Sequence, residues 1–391
     1  MNRCPQCFAS TNTGPKAAFV CTGACPLVED EIASRVLGVQ ISSRPITVPP
    51  TPDSLRPRRP TEAVCSGPCG QRTWAEVCMT CHQPFPVRWR DCETTNIVLA
   101  GARTSGKTVY IAVLVHQLKL LARELRVSFE ADDDITAREY AEKYEEPLFS
   151  GRRLFASTPA ARREANRSLP PPLIFRMGRS DGRLHRIVIR DLPGENLERR
   201  TLDADMFGFL GRADGVVFLI DPFQVRSIRE MLSDVLPEPE DLGAEAQFVL
   251  ENLTRLLRRT SPNDRVDVPF AVLLSKFDAM QELRQIDDPK WRSIFALPGA
   301  AFQRDPSLAP RFDADDSDLL QAEVRSLLHL LHADDLLIQL DSGYRHCRLF
   351  VTSALGNAPR ASALHANGIA PFRVLDPVKW ILRDTRVLNP S

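Results

Sequence analysis

Residues 101–108 read GARTSGKT and meet the pattern G-x-x-x-x-G-K-[ST] at every fixed position. A loop of this kind turns its backbone N–H groups inward around phosphate oxygens, and the helix that follows points its positive end at the same charge. Gly101 and Gly106 allow the tight turn and the close backbone approach to an anion. Thr104 and Ser105 lie in the bend, Lys107 brings a cation to the outer phosphates, and Thr108 brings a hydroxyl to magnesium. The flanks agree. NIVLA before the loop is strand-like, and VYIAVLVHQLKLLAREL after it is helical. The fold class expected is α/β: a phosphate-loop domain with a mostly parallel central sheet flanked by helices.

A chain of 391 residues has room for that domain and a further N-terminal region. Its 43% hydrophobic and 26% charged content is that of a water-soluble fold, and a formal net charge of zero predicts no bulk attraction to nucleic acid or anionic membrane. No apolar run reaches the ~18–20 residues of a membrane span, and MNRCPQCFAS has no secretory core, so a cytoplasmic location is expected. Basic charge is carried by 43 Arg and only seven Lys, of which Lys107 and Lys276 fall in nucleotide motifs.

Eight of the ten cysteines form four close pairs: Cys4/Cys7, Cys21/Cys25, Cys65/Cys69 and Cys78/Cys81. Two or three intervening residues let both thiolates of a pair face one metal ion, and two pairs complete a tetrahedral zinc site. In a reducing compartment disulfides explain such pairs less well. Sequential use would build one zinc site from Cys4, Cys7, Cys21 and Cys25 and another from Cys65, Cys69, Cys78 and Cys81. A nested or cross-braced arrangement is the alternative. The intervening stretch, about 40–62, is rich in Pro and Arg and reads as an extended, poorly packed linker, which favours the sequential pairing. The sites are read as structural, either stapling a region too small for its own core or forming a docking module. Cys347 reads as a buried hydrophobe in a strand.

Further along, residues 131–147 are acidic and read as a solvated helix face, whereas residues 151–190 hold ten arginines against Glu164 and Asp181. A basic solvated surface is the simplest account of the latter. LIFRMG and LHRIVIRDLPGE flank a turn and read as a hairpin entering the sheet. The second strand ends in D-x-x-G, which brings Asp191 beside the phosphate loop as a magnesium-side carboxylate and Gly194 as an N–H donor for the terminal phosphate. After the strand GVVFLIDP and a helix near 244–259, VPFAVLLSKFD places Ser275, Lys276 and Asp278 at another carboxyl end. The run resembles the guanine-specificity motif [NT]-K-x-D with Ser in the first place, which implies that Asp278 accepts from N1–H and the 2-amino group of guanine and that the stem of Lys276 covers the base. CRLFVTSALG then ends a strand at Ser353 and Ala354.

GARTSGKT, DLPGE, SKFD and TSA stand in the order found in Ras-like, translation-factor-class GTPases, and the resemblance covers roughly residues 94–385. With the cysteine pairs ahead of it, the chain also resembles the bacterial double-GTPase family, second type. The resemblance implies GTP/GDP and magnesium as ligands, a switch threonine for which Thr158 is the first candidate (Ser157 and Ser168 follow), and a backbone N–H of Ala354 for guanine O6. It implies a protein partner, including a second GTPase, in a conflict or antiviral system. Two positions depart from the pattern. Glu195 stands where a water-orienting Gln is common, which predicts slow hydrolysis without a partner, and Ser275 stands where Asn anchors the loop.

The expected organisation is a cysteine-rich region over 1–93 and a GTPase domain over 94–391 with an insertion around 284–318. The function expected is magnesium-dependent GTP hydrolysis with Lys107, Thr158, Gly194 and Glu195 at the reacting phosphate. The alternatives are a GTP-binding scaffold docked through its zinc ribbons and an ATPase associated with nucleic acid.

Overall fold

A computed structural model describes residues 2–51, 58–151, 169–179, 181–199, 206–237, 239, 241–259, 264–297, 299–356, 368–385 and 387–388. The framework is a seven-stranded sheet: β1 (Glu93–Gly101), β2 (Phe129–Ala131), β3 (Leu173–Gly178), β4 (Leu184–Asp191), β5 (Gly215–Ile220), β6 (Phe270–Leu274) and β7 (Cys347–Val351). Their order is β7-β6-β5-β1-β4-β3-β2. The five strands from β7 to β4 are parallel, while β3 runs antiparallel to β4 and to β2. Central parallel strands are covered on both faces, which is why β5 and β6 are buried along their whole length. The expected hairpin is therefore β3–β4. The edge strand β2 ends where the acidic run begins.

Helix α1 (Lys107–Glu124) follows the phosphate loop and buries Ile111 to Val115 without a break, so it lies deep in the fold. Helix α2 (Ala246–Arg259) is amphipathic: Val249, Leu250, Leu253 and Leu257 face the core, and Arg258 and Arg259 sit in its last turn. Helix α3 (Ala314–Leu330) starts on Asp313, whose carboxylate accepts from the Asp316 N–H at 2.9 Å. Helix α4 (Asp334–Gly343) and the closing α5 (Asp376–Leu382), with Trp380 and Ile381 buried, complete the shell. The acidic run is less solvated than expected, because the helical residues Thr136, Tyr140, Tyr144 and Leu148 are buried. No helix among the described residues is long and apolar enough to cross a membrane.

The cysteine-rich region differs from expectation. The strand Ala18–Val20 lies between Ile46–Thr47 and Ala75–Val77, antiparallel to both, in register Ala18 to Val77 and Val20 to Ala75. This pairing sets the segment before residue 18 beside the segment after residue 77, and the segment after 20 beside the one before 75. The cysteines are consequently nested, as Cys4, Cys7, Cys78 and Cys81 in one group and Cys21, Cys25, Cys65 and Cys69 in the other. The sequential pairing is incorrect. Part of the supposed linker is the strand Ile46–Thr47, held in a sheet, so its length does not separate two ribbons.

The cysteine-rich region is also not a loose appendage. Phe8 and Trp89 are buried within the main core, the Trp89 indole N–H donates to the Arg3 carbonyl at 2.8 Å, and the Arg186 guanidinium lies 4.8 Å from the Trp89 ring. The stretch 301–304 is equally tied in. Arg373, wholly buried, donates to the Ala301 and Arg304 carbonyls and pairs with Asp316 at 2.8 Å and Asp376 at 2.6 Å, joining that stretch, α3 and α5.

Candidate functional site

The carboxyl ends of β1, β4, β5, β6 and β7 meet at one edge of the sheet, and nearly every motif residue described lies there. Gly101 ends β1 with φ +151°, and a Cβ on it would lie 2.6 Å from the Leu219 carbonyl oxygen. Thr104 takes φ +61°, Gly106 takes φ +88° and caps α1, and Thr108 occupies the second position of that helix, half-exposed. These backbone turns are what wrapping an anion requires. Lys107 is buried and donates to the carbonyls of Gly101 at 2.8 Å and Ala102 at 2.7 Å, so its ammonium is folded onto the loop. Burial lowers the pKa of Lys107, against the pull of Asp191, Glu195 and Glu198.

Asp191 ends β4 opposite Leu99 of β1. Burial raises its carboxyl above the usual range, Lys107 opposes the rise, and Glu195 adds to it. Its Oδ1 and the Ser105 Oγ are buried polar atoms without a hydrogen-bond partner among the described residues. A desolvated carboxylate oxygen and a hydroxyl beside a lysine suit a magnesium-bound phosphate chain, and the donor set fits that group. Gly194 opens the short helix Gly194–Leu197. A Cβ there would lie 2.3 Å from the Arg103 nitrogen, so the D-x-x-G turn abuts the phosphate loop closely enough to require glycine. Glu195 is half-exposed beside it. Asn252 of α2 pins the far end of this helix, donating to the Leu197 carbonyl at 2.8 Å.

One base-motif residue is bonded directly to the phosphate loop, and the others are bonded beside it. The Ser275 hydroxyl donates to the Ser105 carbonyl at 2.8 Å, so serine does supply an anchor to the loop. Lys276 takes φ +50° and its Nζ pairs with Asp221 Oδ2 at 2.5 Å. The Ser353 hydroxyl donates to Asp278 Oδ1 at 2.5 Å and accepts from the Gly356 N–H at 2.9 Å. Ala354 follows, half-exposed, and Thr352 and Ser353 are bonded to Phe372. Thr158, Ser157 and Ser168 lie outside the described residues.

Several contributors were not anticipated. Asp221, almost wholly buried at the end of β5, fixes Lys276; its strand-end position matches that of Asp191 and was the available signal. Arg103 fills a variable position of the loop motif. Glu198 accepts from the Arg103 N–H at 2.7 Å, from Arg103 Nε at 2.8 Å and from the Ala244 N–H at 3.2 Å. Asp241 stands 3.6 Å from Arg103, and Gln224 donates to the Arg103 and Leu242 carbonyls at 2.6 Å each. One carboxylate is thus held by three donors on the shoulder of the phosphate loop.

Each cysteine group fits a metal ion. The four Sγ atoms lie within 4.8 Å of one another in both groups, with Cys4–Cys81 and Cys7–Cys78 at 3.7 Å and Cys21–Cys69 at 3.5 Å. The N–H groups of Gly23, Gly67 and Thr80 donate to the sulfurs of Cys21, Cys65 and Cys78 at 3.3 to 3.4 Å. Phe8, Gly70 and His82, each following the second cysteine of a pair, have φ near +55°. Tight knuckles with N–H donors to sulfur are what a thiolate–zinc site needs, and the two groups could each hold one zinc ion.

A family model described as Double-GTPase 2 matches residues 96–341. The chain is 36% identical over 399 residues to a protein named "Putative ESX-1 scaffolding and assembly protein SaeC" from Mycolicibacterium smegmatis (strain ATCC 700084 / mc(2)155), covering 99% of this chain and 100% of that protein. Among solved structures it is similar to the bacterial selenocysteine-specific elongation factor EF-Sec, at 14% identity and a TM-score of 0.27 over 67% of this chain and 26% of that one. It is also similar to the S. cerevisiae Ski7 GTPase-like domain bound to GTP, at 12% identity and a TM-score of 0.32 over 77% of this chain and 51% of that one. The chain therefore spans about a quarter and about half of those two solved chains.

Proposed function

The chain belongs to the Double-GTPase 2 family, and from that premise we propose that it is a slow, magnesium-dependent GTP hydrolase whose 191–198 segment responds to the terminal phosphate. The observation that carries the reading is a pair of bonds: Ser353 to Asp278 ties the two base motifs together, and Ser275 to Ser105 ties one of them to the phosphate loop. Lys107, Thr108 and Asp191 would hold the magnesium–nucleotide, and Ser275, Lys276, Asp278, Ser353 and Ala354 the guanine side. Bound magnesium would supply charge neutralisation on the phosphates. Lys107 would exchange two loop carbonyls for phosphate oxygens. Gly194 keeps the switch turn against the loop, and Thr158 is the proposed second magnesium-side hydroxyl. Glu195 adds negative charge beside Asp191, which supports slow chemistry.

In this reading residues 94–391 handle nucleotide, with 284–318 as an insertion, and residues 1–93 carry two structural zinc ions and dock a protein. A protein partner has two supports. The relative's name speaks of scaffolding and assembly, and the hairpin formed by Ala63–Val64 and Arg72–Thr73 leaves Val64 and the adjoining Trp74 more than 60% exposed. A second GTPase as that partner, in a conflict or antiviral setting, is part of what the family resemblance implies; nothing among the described residues of the site favours a nucleic acid.

The test is nucleotide binding and turnover by the purified chain, with GTP and ATP compared in magnesium. GTP should bind in strong preference to ATP, Lys107→Ala should abolish binding, and Glu195→Gln should raise turnover. Absence of binding by the unaltered protein sinks the proposal. Tight binding with no turnover, in both the unaltered protein and the Glu195→Gln variant, leaves the scaffold in its place.

A further inference from the structure

Arg190 is the penultimate residue of β4, next to Asp191, and only 3% exposed. Its Nη1 donates to the Gln6 carbonyl, inside the Cys4–Cys7 knuckle, and its Nε is buried without a hydrogen-bond partner among the described residues. Its guanidinium lies 4.3 Å from the centre of the Phe209 ring. Among the described residues it has no carboxylate in salt-bridge contact; the acidic groups that bear on it are the thiols of Cys4, Cys81 and Cys7. A buried guanidinium with no ionised partner is costly. A buried four-thiolate zinc site is costly in the opposite sense, because four thiolates around one divalent ion leave a net double negative charge. Each solves the other's problem.

The same cluster also grips the segment after the switch turn. Phe8, from the knuckle, packs edge-on against Phe209 at 5.5 Å, Arg212 donates to the Cys7 carbonyl at 3.2 Å, and Arg3 donates to the Arg212 carbonyl at 2.6 Å. Among the described residues, the sulfurs of the second group are bonded to Gly23, Gly67 and one another, and none of its cysteines is bonded to the 206–212 segment. The two metal sites therefore stand differently towards the nucleotide edge.

We propose that Arg190 is the counter-charge of the Cys4–Cys7–Cys78–Cys81 zinc site and the positioning residue for Asp191, so that zinc at this cluster and magnesium–nucleotide at the phosphate loop bind cooperatively. The nucleotide half of this statement rests on the proposed function; the zinc half does not. The arginine stands with its charge on the carbonyl inside the Cys4–Cys7 knuckle and its backbone on the strand that presents Asp191. Losing the zinc leaves the guanidinium unmatched and loosens the end of β4 and the 206–212 segment together.

The experiment is zinc retention against a competing chelator in the full chain, with and without a slowly hydrolysed GTP analogue and magnesium. It is run on the unaltered protein, Arg190→Gln, Arg190→Lys and Cys21→Ser. Removing a partner of metal ligands weakens binding by about 10- to 100-fold, so Arg190→Gln should lose one zinc more readily by about that factor, and Arg190→Lys should recover much of it. Cys21→Ser should lose the other zinc and keep its nucleotide affinity. In the unaltered chain the analogue with magnesium should strengthen retention of one zinc only, and stripping that zinc should weaken the analogue by the same factor, as linkage requires. Equal zinc retention in Arg190→Gln and unaltered protein overturns the counter-charge. Zinc retention indifferent to bound nucleotide overturns the coupling, and this arm stands even if Arg190→Gln fails to fold. A chain that binds no nucleotide at all defeats the proposed function, while the zinc arm still judges Arg190.

Discussion

The Ser275 hydroxyl donates to the Ser105 carbonyl at 2.8 Å, and this bond holds the strand of the base motif to the phosphate loop. Both groups are buried. Ser275→Ala leaves the carbonyl with one partner fewer, a loss of about 1–3 kcal/mol. Nucleotide affinity should fall by roughly fivefold to 150-fold, for GDP and GTP alike, in a titration with a fluorescent nucleotide. An unchanged affinity would mean that the tie is idle.

Asp278 is fixed by the Ser353 hydroxyl before any base arrives. Asp278→Asn replaces an acceptor pair by an amide, which opposes the guanine edge and suits a 2-oxo base. A charged hydrogen bond is worth about 1.5–3 kcal/mol, so GTP should weaken by at least about tenfold. Xanthosine triphosphate should strengthen over the same range. Competition between the two nucleotides measures both.

Glu198 places a carboxylate on the Arg103 N–H, the Arg103 side chain and the Ala244 N–H. It is an anion already seated on the loop's shoulder, and it opposes a triphosphate more than a diphosphate. Glu198→Gln keeps the shape and removes the charge. The affinity ratio of a slowly hydrolysed GTP analogue to GDP should rise by about tenfold. A ratio that stays level or falls would assign Glu198 to framework support only.

His185 is 2% exposed, meets the Thr95 hydroxyl at 2.8 Å, and burial lowers its pKa from 6.5 to about 4. Between those values the unfolded chain takes up a proton that the native state refuses, so stability falls as pH drops through this window, by up to about 3 kcal/mol. The loss is complete near the lower value. His185→Gln should flatten this part of the profile in urea unfolding compared at pH values of about 7 and about 4.5. An equally steep profile would place the acid sensitivity elsewhere.

What the sequence made legible follows the range of the forces involved. Residues 101–108, Asp191 and the Ser275–Asp278 stretch were readable because each motif is local and sits at the end of an apolar strand. The cysteine pairing was not, since it depends on Ala18–Val20 lying antiparallel to Ala75–Val77, a contact between segments far apart in the chain. Proline and arginine content made 40–62 look unpacked, although Ile46 and Thr47 pair with Val20 and Phe19. The acidic run hid buried Tyr140 and Tyr144 at helical spacing among charges. Arg103, Glu198 and Gln224 carry no motif: two lie in loops, and their meeting is set by how those loops pack on α1's N-terminus. In sequence Ser275 reads as a departure from an Asn anchor, yet its hydroxyl reaches the carbonyl by itself.

The nested pairing also dictates an order of assembly. Closing the inner cluster joins Cys25 to Cys65 across 40 positions, whereas the outer one must join Cys7 to Cys78 across 71. Loop-closure entropy favours the shorter ring, and once it is shut the outer ring becomes short as well. During synthesis the inner ring is therefore the one favoured to close first. The outer cluster, whose knuckle bears on Arg190, then closes at a lower entropic cost. Loss of the inner ring would slow that closure without removing a ligand from the outer site.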